Sequence, residues 1–411
     1  LDGGFPHGGL NHFPALGCNV SSVQSGPWSN LATWGDVTPT RAICITEGHT
    51  VTYDAIDGVI DSLVVNGTLT FSPIINTSLK VTTLLVDEPG SFNIEPATDT
   101  VLSELVFRDV PINTVTDPDQ LGNGLIVLGR INIHGTFKDT FVKVATEPHV
   151  NDSTITLDYS PNGWRVGDRI VLPSSDGSSA GKNWWEERTI AAINNNVITI
   201  NSPLSFNHPA GREMDGDIVF LPHVMNLTRN VVLKSENPNG VRGHTMYVYR
   251  AVVDIEYVTF KDLGRTTVQV LDSTTYDSNG VVTHIGTNQI GRYALHMHHV
   301  YGDPGAPNPY QYQLVGNAID GSPKIGIAIH DSHYGLIDHN VVYAAKGAGI
   351  FTEDASETGN IIQYNLVARS DGSTQGTVSR KPPGGTVPFI DIAHEGAGYW
   401  LRGNNNYVRD N

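Results

Sequence analysis

The stretch GRYALHMHHV, residues 291–300, contains three histidines within four positions. His296 and His298 alternate with Leu295 and Met297, which is the period-two pattern of a β-strand. Such a strand buries Leu295 and Met297 on one face and presents both imidazoles on the other. Imidazoles are general bases near neutral pH and common ligands of transition metals. The pattern therefore indicates a strand that displays side chains capable of chemistry.

Two further segments carry similar side chains at a regular distance. His330 lies in GIAIHD and Glu353 lies in GIFTED, 23 positions later. His296 precedes His330 by 34 positions, which is one such interval plus an insertion that YGDPGAPNPY (301–310) can supply. If these segments are stacked coils about 4.8 Å apart, we expect His296, His330 and Glu353 to form one column. Two imidazoles and a carboxylate would then reach a common ligand.

This column suits two kinds of chemistry. Joined by His244 from an earlier coil, it offers ligands for a divalent metal, either Zn²⁺ or another transition metal, or Ca²⁺. Without a metal, a neutral imidazole can accept a proton while an acid donates one, as in hydrolysis or β-elimination of a sugar chain. The permanent cation of Arg292 could hold a substrate carboxylate. The candidate catalytic residues are His296, His298, His330, Glu353, Asp354 and Arg292, and the candidate metal ligands are His244, His296, His330 and Glu353.

Four other residues are candidates for substrate binding: Lys346, His394, Trp400 and Arg265. His394 lies in a long insertion (371–397) that we expect to form a groove wall beside the column, and Trp400 follows it. A core position is an equally good interpretation of Trp400. For the column itself, the alternative is a hydrogen-bonded polar stack with a structural role only, which is common on β-solenoids.

The chain that must position these side chains is repetitive. Asn317, Asn340 and Asn365 each precede apolar or small residues and are separated by 23 and 25 positions. Gly326 and Gly349 are also 23 apart. A repeat in the low twenties without helices predicts an all-β fold, a right-handed parallel β-helix whose stacked coils share one core. The recurring asparagines are expected at the corners, where their amides can link adjacent coils. An array of β-sandwiches is the alternative, which the regular spacing disfavours.

Other regions divide the chain further. Segments 63–71, 84–94 and 125–135 repeat more loosely and are interpreted as early coils, whereas 163–211 lacks the spacing and predicts a small inserted β-barrel or meander. The expected division is an N-terminal extension (1–16), a β domain of early coils (17–150), an inserted β subdomain (151–215) and the β-helix that carries the site (216–411).

Composition narrows the functional classes. The 411 residues include 42 acidic and 25 basic ones, for a net charge of −17, and no Lys/Arg cluster, which argues against nucleic-acid binding. No apolar run approaches the roughly 18 residues of a membrane span. Cys18 and Cys44 are either one disulfide or two buried thiols. Few lysines and methionines, together with many Asn, Thr and Gly residues, favour a secreted protein. Weaker support comes from five N-glycosylation sequons, at Asn19, Asn66, Asn76, Asn151 and Asn226. The start at Leu1 is interpreted as that of a processed product, and a monomer is expected.

Residues 26–71 resemble the opening of a G8 domain, with matching positions at Trp28, Ser29, Thr33, Trp34, Gly35, Pro39, Gly48, Val51, Val65, Gly67 and Leu69. GRYALHMHHVYGD and GIFTEDASETGN are similar to motifs of the family of the cell migration-inducing and hyaluronan-binding protein. This resemblance implies a secreted or cell-surface β-helix and an association with hyaluronan cleavage. By position it assigns family roles to Arg292, His296, His298, His330, Glu353 and Asp354.

The sequence departs from the family motif at three positions: Ala294 replaces a proline, Met297 a phenylalanine and Thr352 a leucine. These differences concern the substrate more than the fold. The leading hypothesis is a secreted, hyaluronidase-like enzyme that degrades a uronic-acid-containing polysaccharide. The alternatives are a non-catalytic glycan-binding or adhesion module, which the fibrocystin-like members of the family favour, and a metal-dependent enzyme with another substrate.

Overall fold

The computed structural model describes residues 16–175, 184–301, 309–373 and 393–411. Within these ranges the only helix is the 3₁₀ helix Leu31–Trp34, and none of the described residues forms a helix of the length and hydrophobicity that spanning a membrane requires. All other regular structure is β.

The strands up to the insertion are β1 (Val20–Ser21), β2 (Gly26–Pro27), β3 (Ala42–Ile45), β4 (Thr50–Tyr53), β5 (Gly58–Val65), β6 (Thr68–Phe71), β7 (Thr77–Val86), β8 (Ser91–Ile94), β9 (Ser103–Phe107), β10 (Gly124–Val127) and β11 (Arg130–His134). Those of the insertion are β12 (Phe141–Lys143), β13 (Thr154–Thr156), β14 (Arg169–Leu172), β15 (Glu186–Asn194), β16 (Val197–Ile200), β17 (Gly211–Arg212), β18 (Ile218–Phe220) and β19 (His223–Asn226). The remaining strands are β20 (Val231–Ser235), β21 (His244–Val248), β22 (Val252–Glu256), β23 (Val258–Lys261), β24 (Thr275–Tyr276), β25 (Val282–His284), β26 (Leu295–His298), β27 (Tyr312–Val315), β28 (Ala318–Ser322), β29 (Ile327–His330), β30 (Gly335–Asp338), β31 (Val341–Ala345), β32 (Ile350–Thr352), β33 (Ile361–Gln363), β34 (Leu366–Ala368), β35 (Tyr399–Trp400) and β36 (Tyr407–Arg409).

Most strands stack into three parallel sheets, which each complete coil visits in turn. Sheet 1 contains β10, β21, β26, β29, β32 and β35; sheet 2 contains β2, β4, β6, β8, β11, β22, β27, β30, β33 and β36; sheet 3 contains β9, β20, β23, β28, β31 and β34. Sheets 1 and 3 join at the long strand β7, whose first half pairs with β9 and whose second half pairs with β10. The predicted all-β parallel β-helix is confirmed.

Inward-facing side chains of successive coils form columns in the core. Leu63, Leu84 and Leu125 lie opposite one another in β5, β7 and β10 and are fully buried. These residues come from the three loosely repeated N-terminal segments, which are therefore early coils, as predicted. No coil can bury its apolar side chains alone, so the stacking of neighbours is what creates the core.

Asparagines link the coils at the corner between sheets 2 and 3. Asn317 Nδ2 donates to Asn340 Oδ1 at 3.0 Å, Asn340 Nδ2 to Asn365 Oδ1 at 2.9 Å, and Asn365 Nδ2 to Asn411 Oδ1 at 2.9 Å. The backbone N–H of each donating residue bonds to the same oxygen. The predicted asparagine ladder is present and satisfies buried polar groups that would otherwise destabilise the fold.

Glycines recur where sheet 1 begins because the backbones of adjacent coils approach closely there. A Cβ on Gly326 would lie 2.6 Å from the Gly349 carbonyl oxygen, and one on Gly349 would lie 2.7 Å from that of Gly398. The 23-residue glycine spacing is therefore a packing requirement of the coil.

The insertion is an antiparallel sheet with the order β12-β19-β14-β15-β16-β13. A bridge between Val144 and Leu157 joins its two outer strands, which closes a six-stranded barrel around its own apolar core. The barrel strands extend from Phe141 to Asn226, so this unit is wider at both ends than the expected range 151–215. The last solenoid strand β11 and the first barrel strand β12 both alternate buried and more exposed residues, so no change of period marks the start of the barrel.

Cys18 and Cys44 form a disulfide, which joins the first described residues to β3.

One of the five sequons lies inside the protein. Asn226 is fully buried, and its Nδ2 donates to Asp168 at 2.8 Å. Asn226 is therefore inaccessible to glycosylation in the folded chain.

Candidate functional site

The outer face of sheet 1 carries the histidines, but in a register that differs from the expected one. His298 lies opposite His330, and His296 lies opposite Ala328. Since Ile329 pairs with Thr352, Glu353 follows at the position beside His330. The column is therefore His298, His330 and Glu353, and the prediction that His296 belongs to it was wrong by two residues. The number of residues between β26 and β27, of which 302–308 lie outside the described residues, sets this register.

His296 nevertheless belongs to the same cluster, because it lies two residues before His298 in β26 and therefore on the same face of the sheet. Its ring stacks on that of His330 with centroids 6.0 Å apart, and His298 Nδ1 lies 3.0 Å from His330 Nδ1. The three histidines each place one ring nitrogen within 4.8 Å of the others. We call His296, His298, His330 and Glu353 the imidazole cluster.

Burial keeps two histidines of this cluster, His296 and His298, neutral. His296 is fully buried and His298 is 6% exposed, and burial holds the pKa of both well below the ordinary value. Neighbouring imidazoles lower the same pKa values further. His296 Nδ1 lies 2.8 Å from the Gly291 carbonyl oxygen, so this nitrogen carries the proton and the lone pair is on Nε2. That Nε2 is buried and has no hydrogen-bond partner among the described residues.

Two carboxylates on the same loop have opposite electrostatic environments. Glu353 is 6% exposed, and burial raises its pKa; its Oε2 lies 3.7 Å from His330 Nδ1. Asp354 Oδ2 lies 2.8 Å from His330 Nε2, and this hydrogen bond lowers the pKa of Asp354. Glu353 is therefore the carboxyl that most readily holds a proton, and Asp354 the one that remains ionised and orients His330.

Glu357 holds the loops that present these carboxylates. It is fully buried, and its Oε1 accepts backbone N–H groups from Asp331, Glu353 and Asp354 at 3.2, 3.0 and 2.8 Å. This role was not predictable from the sequence, since nothing in the spacing of Glu357 distinguishes a carboxylate that binds backbone from a solvent-exposed one.

The rim of the cluster contains three further residues that the sequence did not single out. His299 Nδ1 lies 2.9 Å from Asp331 Oδ2, and His333 Nε2 lies 3.5 Å from Asp331 Oδ1. The clustering of histidines between positions 284 and 339 was the available signal, but single histidines in it are indistinguishable from structural ones. His299 and Asp331 extend the polar network from the buried cluster to its edge.

A buried lysine lies near the cluster, but it is not the expected one. Lys346 is exposed, and its backbone pairs with Ser322 and Gly372. Lys324, by contrast, is 1% exposed, and its charge counteracts the rise in the pKa of Glu353. Lys324 is the cation that the electrostatics of the cluster involve.

The two arginines expected to bind substrate instead hold backbone. Arg292 is 1% exposed; its guanidinium donates to the carbonyl oxygens of Gln120 and Ile290 at 3.1 and 2.9 Å, and to that of Asp119. The Arg265 guanidinium donates to four carbonyl oxygens, those of Gln120, Gly122, Asn123 and Arg242. Both cations fix the segment 119–123, and neither is available for a substrate carboxylate.

His244 also lies outside the cluster. It is fully buried at the start of β21, and its Nε2 lies 2.9 Å from the Leu121 carbonyl oxygen. In the register of β21 and β26, it precedes the position opposite His296 by two residues. The prediction that His244 completes a metal site with His296, His330 and Glu353 is not supported by this placement.

Trp400 and His394 lie near the end of sheet 1. Trp400 in β35 lies opposite Phe351 and is half-buried against an apolar cluster that includes Ala328 and Phe351. His394 is 3% exposed and its Nδ1 lies 3.7 Å from Glu395 Oε2. Most of the predicted groove wall, residues 374–392, lies outside the described residues.

Two family models match this chain. The G8 domain matches residues 33–145, and the CEMIP beta-helix matches residues 271–411, which include the whole imidazole cluster. The resemblance identified in the sequence is thus confirmed over both of its parts.

Curated relatives are distant and much longer. Fibrocystin-L of Mus musculus is 24% identical over 96% of this chain, but the chain spans only 10% of that protein. The cell migration-inducing and hyaluronan-binding protein of Mus musculus is 25% identical over 54% of this chain and 16% of its own length. Human cell surface hyaluronidase CEMIP2 is 25% identical over 50% of this chain and 14% of its own length. The chain thus corresponds to a small part of each of these relatives.

Among solved structures, the tailspike gp61 of Pseudomonas phage phi297 aligns over 84% of this chain and 50% of its own, with 13% identity and a TM-score of 0.24. A likeness this low gives no information about the site. What the comparisons show is a match to the G8 domain in the first part of the chain and a match to the CEMIP beta-helix in its last part.

Proposed function

We propose that the imidazole cluster is the active site of a secreted, glycan-cleaving enzyme of the hyaluronidase type. The observation that most supports this is the convergence of three imidazole nitrogens within 4.8 Å beside the buried Glu353. Burying polar side chains costs folding free energy unless hydrogen bonds compensate for it. Buried ionisable side chains with shifted pKa values are typical of active sites. The name of a distant relative, cell surface hyaluronidase CEMIP2, supports a uronic-acid-containing substrate outside the cell.

The protonation states match the work that glycan cleavage requires. His296 and His298 remain neutral at neutral pH, so either can accept a proton from water or from the α-carbon of a uronate. Glu353, whose pKa burial raises, can donate a proton to the departing glycosidic oxygen. Both hydrolysis and elimination use such a pair, and the substrate would lie along the stacked strands of sheet 1.

The same residues fit a divalent transition metal. Three imidazoles and a carboxylate are a common donor set for such ions, and the buried His296 Nε2 has no other hydrogen-bond partner among the residues described. The Gly291 carbonyl and the Asp354 carboxylate contact the outward nitrogens of His296 and His330, as outer partners of metal-bound histidines do. A bound ion would polarise water or a substrate oxygen. His296, His298 and His330 would hold it, with Glu353 beside them.

A non-catalytic glycan-binding module is the second candidate. Arg292 and Arg265, the cations expected to bind a substrate carboxylate, are used on backbone carbonyls. The net charge of −17 also repels polyanions at long range. On this alternative the cluster stabilises sheet 1 and cleaves nothing.

The test is release of new reducing ends from a panel of acidic and neutral polysaccharides. We expect His296→Ala and His330→Ala to reduce the rate by about 10³-fold, in the range of lost acid–base catalysis. Elimination would leave an unsaturated uronate that absorbs ultraviolet light, whereas hydrolysis would not.

His284→Ala is the matched control, since its imidazole pairs with Asp272 at 2.6 Å on the β24–β25 hairpin outside the cluster. It should leave the rate unchanged. If the wild-type protein releases nothing from any polysaccharide while it binds one of them, the binding module is the correct interpretation.

A further inference from the structure

A second group of ligand-type side chains lies on the outer face of sheet 2. His134 is the last residue of β11, and it pairs across the sheet with Glu256 of β22. Asp254 lies two positions earlier in β22 on the same face, because side chains alternate along a strand. Each of these three side chains places one ligand atom within 4.8 Å of the others. We call His134, Asp254 and Glu256 the carboxylate cluster.

Two atoms of this group face each other at ion-pair distance. His134 Nε2 and Asp254 Oδ1 lie 3.2 Å apart, both are shielded from solvent, and no other described residue forms a hydrogen bond with either atom. A nitrogen and an oxygen that converge in this way match two cis ligands of one cation, at about 2.0–2.2 Å from each.

A third carboxylate lies on the other side of the imidazole. Glu95, which follows β8, places Oε1 3.6 Å from His134 Nδ1, which is an ion-pair distance and too long for a hydrogen bond. Asn132, on the same face of β11, donates its Nδ2 to that Glu95 oxygen. Glu95 therefore acts on the ring through its charge, while the other ring nitrogen is directed at Asp254.

Charge favours a cation here as well. Glu95, Asp254 and Glu256 bring three carboxylates to adjacent strands around a single imidazole, and like charges on neighbouring strands are destabilising. A divalent ion would relieve this repulsion and join the carboxylates to His134. One nitrogen with two or three oxygens suits Zn²⁺, Mn²⁺ or Co²⁺ better than an ion that prefers oxygen alone.

From this geometry we infer that His134, Asp254 and Glu256 bind a divalent transition-metal ion. The site would link β11, the last solenoid strand before the barrel, to β22 in the next coil after it. Between these strands the chain leaves the solenoid for the whole barrel, so their pairing has no short connection to maintain it. The ion would thus fasten the solenoid where the insertion interrupts it, independently of any activity of the imidazole cluster.

The test is Co²⁺ titration of metal-stripped protein, followed by calorimetry and by the visible absorption of bound Co²⁺. The background is the double variant His298→Ala/His330→Ala, which removes ligands of the imidazole cluster. This background is expected to bind one Co²⁺ and to unfold at a higher temperature with the ion than without it. Asp254→Asn and Glu256→Gln, added singly, should each weaken the affinity at least about 10-fold and remove most of that thermal shift.

Asp338→Asn is the matched control. Asp338 lies on β30 of the same sheet, its Oδ1 is 2.7 Å from His339 Nδ1, and it belongs neither to the imidazole cluster nor to the carboxylate cluster. The Asp338→Asn variant should bind Co²⁺ with the affinity of the double-variant background. If the double variant does not fold, the same substitutions in the otherwise unchanged chain should each lower the number of bound Co²⁺ ions by one. The inference is overturned if no Co²⁺ binds, or if Asp254→Asn and Glu256→Gln bind it as tightly as the control.

Discussion

The imidazole cluster on sheet 1 and the carboxylate cluster on sheet 2 are built by the same coil geometry but have opposite electrostatics. In the first, the buried imidazoles of His296 and His298 lie beside His330, and burial holds the pKa of His296 well below its ordinary value. In the second, burial also lowers the pKa of His134, but Asp254, Glu256 and Glu95 outweigh it and raise that pKa. Both groups come from adjacent coils that place side chains about 4.8 Å apart.

The difference shows that burial and neighbours, rather than residue type, decide what a histidine in a solenoid does. A buried, nitrogen-rich group is neutral and suited to proton transfer or tight metal binding. A half-exposed, oxygen-rich group is charged and suited to holding coils together through a cation. This contrast should be measurable in the stability of the fold, in its pH dependence and in metal affinity.

The largest expected difference concerns carboxylates. Glu357→Ala should lower the free energy of unfolding by about 3 kcal/mol, because three buried backbone N–H groups lose their acceptor. Glu256→Ala should change it by less than about 1 kcal/mol, since Glu256 is half-exposed and surrounded by like charges. Urea unfolding measures both. Equal losses of unfolding free energy in the two variants would contradict the contrast between a buried, hydrogen-bonded carboxylate and a half-exposed one.

A second effect is on the pH dependence of stability in metal-free buffer. The folded-state pKa of His298 lies below its unfolded value near 6.5. The stability that His298 contributes is therefore complete above the unfolded-state pKa, and it is lost as the pH falls from there towards the folded-state pKa. For His134, whose folded pKa is raised, the contribution is complete below about 6.5 and is lost as the pH rises through the folded pKa.

Unfolding free energies of wild type, His298→Gln and His134→Gln between about pH 5 and 8 would separate these signs. His298→Gln should reduce the loss of stability on the acid side, and His134→Gln the loss on the alkaline side. A common slope for the two variants would contradict the assigned environments.

The smallest expected effect concerns the outer partners of the two central histidines. Asp354→Asn should weaken metal binding at the imidazole cluster about 10-fold, since Asp354 orients His330 through a hydrogen bond. Glu95→Gln should weaken metal binding at the carboxylate cluster by less than this, since Glu95 acts on His134 through its charge alone. Neither should alter the other site. Calorimetric titration with Co²⁺ distinguishes them, and cross-effects between the clusters would show that they are not independent.

Much of the fold was predictable because the solenoid imposes its period on the sequence. The spacing of Asn317, Asn340 and Asn365 reflects a hydrogen-bonded ladder, and that of Gly326 and Gly349 reflects the contact of adjacent backbones. Both are local consequences of stacking that every coil repeats. The barrel was predictable as an interruption of this period, but its ends were not.

The candidate site was predictable in its members but not in its detail. A two-residue change in loop length moves His298 rather than His296 opposite His330, and no pattern within the strands reveals the length of a loop. Arg292 was assigned to a substrate because its partners, the carbonyls of Asp119 and Gln120, are more than 170 positions away in sequence. The carboxylate cluster was missed for the same reason, since the barrel separates His134 from Asp254.

The most direct test of the proposed chemistry is the rate of glycan cleavage by Glu353→Gln, measured beside wild type on whichever polysaccharide the wild-type protein degrades. The substitution keeps the size of the side chain and removes its proton, so we predict a loss of about 10³-fold with an unfolding midpoint close to that of wild type. Cleavage by Glu353→Gln at the wild-type rate would contradict the assignment of Glu353 and its neighbouring imidazoles as an active site.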